Sequence, residues 1–290
     1  MNWLFAAQPR GRIAWLRTIG YLFIPVDIFF ATPWVAGHAD VPGRLYHALT
    51  VSRLLHLPVP GPVSVRISMW LLLAASLAAA SGLRPRLLGT TVALLYAWWM
   101  VIAMSYGKVD HDRYAYLILL AVLPTVGRAG HSDKAVDTES GWALRAVQLG
   151  VVATYFLAAV AKLRFGGWNW ATGSTLTSAI LRRGTFLADP LVGYPAIMVA
   201  LQWGILIFEL ASPLLLVGGR VTKWFVAFLY GFHAASYLGI KIAFWPHLVA
   251  LLAFVPLERL TKAWTWRPGH IDFPRLSHPR QAATTVGEAR

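Results

Sequence analysis

The chain has 290 residues, 57% hydrophobic and only 13% charged, with a mean hydropathy of +0.57; this is too little polar surface to cover a water-soluble globule of that size, so a bilayer is the natural solvent. The net charge of +14 is carried by basic residues standing singly or in pairs between apolar runs, such as Arg84 with Arg86, Arg182 with Arg183 and Arg220 with Lys223, which excludes the basic stripe of a nucleic-acid binder. There is no cysteine, which excludes disulfides, thiolate catalysis and thiolate metal ligands.

A membrane span needs about 20 mainly apolar residues. Residues 13–34 supply the first, behind Arg10, Arg12 and Arg17; no small-residue cleavage site follows, so the run reads as a retained span. It contains Pro25 and Asp27, which lipid tolerates only where neighbouring helices satisfy them. A polar segment bearing Pro42, Pro58, Pro60 and Pro62 leads to a second span at 67–81, and the turn Gly82-Leu83-Arg84-Pro85-Arg86 folds the third, 87–106, back against it.

The charged segment Gly107-Lys108-Val109-Asp110-His111-Asp112-Arg113 precedes a short apolar run at 114–126. An aqueous loop with Asp133, Lys134, Asp137 and Glu139 separates this run from the fifth span, 142–162. Residues 164–190 are rich in Trp and Thr, amphipathic, and expected to lie in the interface or to re-enter the membrane. The sixth span covers 191–217, and Gly218-Gly219-Arg220 turns the chain into the last two, 224–240 and 242–257, split by Lys241.

The expectation is an all-α integral membrane protein, a bundle of about eight transmembrane helices over residues 1–257, with a polar and poorly ordered C-terminal tail at 258–290. In that topology sixteen of the 26 Lys and Arg fall on the side of the N-terminus, which predicts a multi-pass protein of the cell membrane with both termini in the cytoplasm. The lipid bilayer is its expected partner.

Ionisable groups at membrane depth are costly and mark functional sites, which singles out His111, Lys162, Glu209 and His233. The topology places His111, Lys162 and His233 in the outer half of the bundle. The face of Lys162 carries Ala159, Ala158 and Tyr155, which leaves room for a ligand, and that of His233 carries Tyr230, Ser236 and Tyr237. A lysine withdrawn from water can act as a general base near neutral pH, with neighbouring histidines orienting a substrate or taking up its proton.

Plainer roles are available for each: a snorkelling anchor for Lys162, a solvated loop residue for His111, an interhelical hydrogen bond for His233. Glu209 shares a face with Gln202 and precedes Pro213, so it is expected to be a structural polar group bonded to freed backbone, deeper than the other three. His111, His233 and His247 have no metal-ligand spacing, and no metal is expected. No phosphate loop or nucleotide fingerprint is present. No inverted repeat is evident that would point to a transporter.

Four blocks resemble the membrane region of the vitamin K-dependent gamma-carboxylases and their bacterial relatives, the HTTM family. Asp110-His111-Asp112-Arg113-Tyr114-Ala115-Tyr116-Leu117 is similar to the family's Asn-His-x-Tyr-Leu block, with Asp110 where the family has Asn. Thr154-Tyr155-Phe156-Leu157-Ala158-Ala159-Val160-Ala161-Lys162-Leu163, followed by Trp168, resembles its Tyr-Phe-x-Ala-Gly-x-x-Lys-Leu-x-x-x-Trp block. Phe208-Glu209-Leu210 with Pro213-Leu214-Leu215, and Phe232-His233 with Phe244-Trp245, resemble the two blocks that follow.

The resemblance implies that Lys162 is a base that deprotonates a reduced quinone, of the vitamin K hydroquinone or menahydroquinone type. Oxygenation of that quinol then drives removal of a glutamate proton and addition of carbon dioxide. It implies substrate positioning or proton handling for His111 and a substrate-binding role for His233, with Tyr155, Tyr237 and Trp168 beside them. A small peptide or protein is the implied second substrate. The carboxylases carry a large extramembrane domain after their helices, whereas about 33 residues follow Leu257 here. That raises the alternative expectation of a non-catalytic accessory protein for maturing or binding a small secreted peptide.

Overall fold

A computed structural model describes residues 3–261, so the predicted tail lies, beyond its first four residues, outside the described residues. Among those described, the helices of seven residues or more are α1 (Arg10–Val26), α2 (Pro62–Ala80), α3 (Pro85–Ser105), α4 (Tyr114–Val122), α5 (Thr138–Gly166), α6 (Ser174–Arg183), α7 (Pro195–Leu210), α8 (Gly219–Ile240) and α9 (Trp245–Leu251). The only pairing of strands among them is one short antiparallel bridge, Gln8–Pro9 with Val136–Asp137.

Four segments are long and apolar enough to cross a membrane: Arg10–Ala31, Pro62–Ala80, Pro85–Ser105 and Thr138–Gly166. The protein is thus helical with the makeup of a membrane protein. Of the other predicted spans, 224–240 lies within the unbroken α8, and the remaining three are broken by their own prolines. The run at 114–126 is helical for nine residues and finishes as a 3-10 turn at Leu123–Thr125, around Pro124. The run at 191–217 divides into a 3-10 turn, the sixteen-residue α7 starting at Pro195, and a 3-10 segment Ser212–Leu216 around Pro213. The last starts at Trp245-Pro246 and is helical for seven residues before tightening. Proline lacks the N–H that an α-helix interior needs, which places it in first turns and 3-10 segments.

The ends of the long helices follow local chemistry. Asp137 caps α5 by accepting the Ser140 N–H at 2.7 Å. Between α8 and α9, Lys241 adopts φ +53° and its N–H closes on the Tyr237 carbonyl at 2.9 Å, a left-handed C-cap that stops α8. Beyond Pro25, α1 widens into a π-helical stretch, Asp27–Ala31.

The short α4 lies at the centre. Ala115, Tyr116, Leu119 and Leu120 are fully buried, packed with Tyr96 and Trp99 of α3, Val147 and Val151 of α5, and Leu251 of α9. Leu117 and Ile118 are partly buried and Tyr114 and Ala121 exposed, so the helix buries most of its circumference, which accounts for its largely apolar sequence.

Candidate functional site

A cavity of about 480 Å³ opens between α5, α7, α8, α9 and the segment 107–113. Lys162, on the last turns of α5, and Glu209, at the end of α7, meet on its wall. Nζ donates to both carboxylate oxygens at 2.7 Å and lies 5.4 Å from the centroid of the Trp170 ring. Glu209 therefore does not bond backbone freed by Pro213. It stands level with Lys162 as its ion-pair partner, and the plain anchor role for Lys162 gives way to an interhelical pair at 23% and 9% side-chain exposure.

His233 and Tyr155 form the next part of the wall, with the Tyr155 hydroxyl 2.6 Å from His233 Nε2. His247 completes it. Its ring lies edge-on to Tyr155 at 4.5 Å between centroids and 6.0 Å from that of His233. The residue is 1% exposed, and among the described residues neither ring nitrogen has a hydrogen-bond partner; Nδ1 of His233 also lacks one. Buried polar atoms are nearly always paired, which sets these three nitrogens on the cavity wall apart from the rest of the buried polar groups.

At the rim, His111 and Asp112 line the same cavity. They are placed there by a buried network. Arg113 Nη1 lies 2.7 and 2.8 Å from the two Asp27 oxygens, and the Tyr96 hydroxyl donates to Asp27 at 2.8 Å. Arg113 also donates to the Tyr96 oxygen at 3.0 Å. Asp27 is thus satisfied by the 107–113 segment and α3, as its place in an apolar helix required.

Asp110 is paired with Lys108 at 2.9 Å. Asp112 has no hydrogen bond among the described residues, and burial pushes its carboxyl up to about 6, with Arg113 acting in the opposite direction. His111 titrates below the ordinary histidine range. Desolvation is the largest cause, followed by the charges of Lys162 and Lys108, against an opposing pull from Asp110.

The segment expected to be interfacial folds over the cavity as a 3-10 turn, Trp168–Ala171, and α6. Gln202 holds it there, accepting the Leu176 N–H at 3.0 Å and donating to the Trp170 carbonyl.

The cavity thus gathers Lys162, His111, His233, Tyr155 and Glu209. It does not gather Tyr237, which is 46% exposed and packs on Trp245, or Trp168, which is 69% exposed and stacks on Trp203. The residues that face it in their place are Ser236 and Trp170. Sequence reasoning passed over Asp112, Trp170 and His247 as site residues. The dense charge of 110–113 was a signal for the first, and a histidine inside an apolar run for the last. Among the described residues no group of three or more His, Asp or Glu is arranged to hold a metal ion.

Compared with known proteins, the chain matches no family model, no curated protein and no solved structure. The functional reading therefore rests on the residues of the cavity.

Proposed function

We propose that the protein is a carboxylase-like membrane enzyme in which the Lys162–Glu209 pair takes a proton from a reduced quinone. The observation that carries this reading is the pair itself: an amine and a carboxylate 2.7 Å apart on the wall of a largely apolar, aromatic cavity, facing unpaired histidine nitrogens. Such a wall fits a flat ring bearing hydroxyl oxygens.

Trp170 and Phe244 supply aromatic surface, and His233 and His247 supply hydrogen bonds to ring oxygens. A reduced quinone bound there would supply the electrons for oxygen reduction and, after oxygenation, the strong base needed for carboxylation of glutamate. The chain's own part is proton movement. Lys162 Nζ passes a proton to Glu209 along their hydrogen bond, which leaves a neutral amine that can accept the hydroxyl proton of the bound ligand. The Tyr155–His233 hydrogen bond fixes the imidazole so that Nδ1 faces the ligand. His111 and Asp112 stand between this centre and water and receive the proton as it leaves.

The same reading places the protein in the cell membrane with eight crossings and both termini cytoplasmic. The segment 164–190 then caps the site from the outer interface. Exposed Phe165, Leu181 and Phe186 suit contact with lipid.

The test is purification in detergent and measurement of oxygen uptake with menahydroquinone or vitamin K hydroquinone. Uptake is expected in the intact protein and is lost in Lys162→Ala. Equal uptake by that variant contradicts the proposal.

A further inference from the structure

A second cavity, of about 350 Å³, lies at the other end of the bundle, between α1, the α2–α3 turn and the segment 128–131. Its wall is cationic. Arg17 is 4% exposed and Arg128 and His131 complete the lining. Arg17 spends its terminal nitrogens on backbone, donating to the carbonyls of Leu123 and Gly127 at 2.8 Å and to that of Val126. Its Nε is buried without a partner among the described residues.

Carbonyl dipoles solvate a guanidinium but do not neutralise it, and a buried charge is ordinarily paired. Among the described residues, the carboxylates of this end are committed elsewhere. Asp133 and Asp137 pair with Arg10, Glu258 with Arg12, and Glu139 with Arg86. None lines the cavity. Thr18 adds a hydroxyl, held 2.9 Å from His131 Nε2, and Ser81 adds another from the α2–α3 turn.

We infer that this cavity binds a phosphoryl group, carried by an acidic lipid headgroup or as free phosphate, between Arg17, Arg128 and His131. Guanidinium groups match phosphate oxygens in both geometry and charge. Basic pockets at span ends take anionic headgroups in the same way. The inference is independent of the quinol reading, since the two cavities share no residue.

The experiment uses the full chain in a neutral detergent and two probes: phosphatidylglycerol in mixed micelles, with phosphatidylcholine as control, and inorganic phosphate, with chloride at equal ionic strength. Bound lipid is counted by native mass spectrometry and the unfolding midpoint is recorded. Phosphatidylglycerol is expected to be retained and to raise the midpoint by about 5 °C, with phosphatidylcholine inert. Arg128→Gln, at an exposed position whose side chain makes no hydrogen bond or ion pair among the described residues, should weaken retention at least about fivefold. Arg17→Gln also frees three carbonyls, so its loss of binding counts only if the variant keeps its cooperative unfolding. A shift with inorganic phosphate alone, lost in Arg128→Gln, supports the site and assigns free phosphate as its ligand. Binding of neither probe, or retention unchanged by Arg128→Gln, overturns the inference.

Discussion

Lys162 Nζ lies 2.7 Å from both carboxylate oxygens of Glu209, which joins amine and carboxylate in one hydrogen-bonded ion pair between α5 and α7. Taking two charges out of water is expensive even when they are paired. A polar contact of this kind inside an apolar bundle earns its place through function more readily than through stability.

The pair predicts a separation of stability from activity. Glu209→Gln leaves the Lys162 charge without its partner. With Lys162 partly exposed, the cost is roughly 1–2 kcal/mol, discounted for solvent screening. The double replacement Lys162→Met with Glu209→Met removes both charges and is expected to unfold at or above the wild-type temperature, yet to show no oxygen uptake. Thermal unfolding in detergent and an oxygen electrode read the two quantities. Activity persisting in the double variant would remove the pair from the mechanism.

The buried network behind the rim predicts a graded series. Asp27→Asn strands the Arg113 charge at 0% carboxylate exposure and should cost about 3–5 kcal/mol. Tyr96→Phe removes two hydrogen bonds, the one donated to Asp27 and the one accepted from Arg113, and should cost about 2 kcal/mol. Both variants should lose activity beyond their loss of stability, because Asp27 and Tyr96 hold Arg113 and so place His111 and Asp112. Denaturation midpoints of the two variants give the order, and equal midpoints contradict it.

His247 predicts opposite signs for two measurements. Its unpaired ring nitrogens are buried at the expense of hydration, so His247→Leu should leave the midpoint unchanged or raise it. The same change should weaken binding of the reduced quinone about tenfold, read by titration of the ligand's fluorescence or by KM for oxygen uptake. A variant that is destabilised and binds normally would make His247 a packing residue.

The rim predicts a pH dependence. Asp112 titrates at about 6 in the folded chain, against 3.8 ordinarily, so between these values the folded state holds a proton that the unfolded state has released. Its contribution is complete below about pH 4 and falls away as pH rises through 6, by roughly 3 kcal/mol. Asp112→Asn should flatten that slope. His111 acts the opposite way: lowered in the folded state, it disfavours folding as pH falls below the ordinary histidine range, and His111→Gln should relieve this. Unfolding profiles of the two variants against wild type, from pH 4 to 8, show both slopes.

Much of the helical framework was legible because α1, α2, α3 and α5 each bury part of an apolar run of membrane length, a property of composition alone. Where prolines fall inside such a run, composition misleads, since Pro124, Pro213 and Pro246 tighten or start helices within segments that otherwise look continuous.

Lys162, His111 and His233 were legible as ionisable groups among apolar neighbours. Their partners were not, because Lys162 and Glu209 are 47 residues apart and only the rotation of α5 against α7 brings them together. One or two positions decide the aromatic residues. Trp168 and Trp170 lie on one 3-10 turn, where a two-residue step leaves the side chains about 120° apart, so the first stacks outward on Trp203 and the second faces Lys162. On α8, Ser236 faces inward and Tyr237 outward for the same reason, about 100° apart.

The most direct test of the central claim is oxygen uptake by the purified chain with menahydroquinone, compared with Lys162→Ala at matched folding and ligand binding. Uptake by the wild type and its loss, by at least about a hundredfold, in a variant that still binds the quinol is the predicted result. Uptake of equal rate in Lys162→Ala would contradict it.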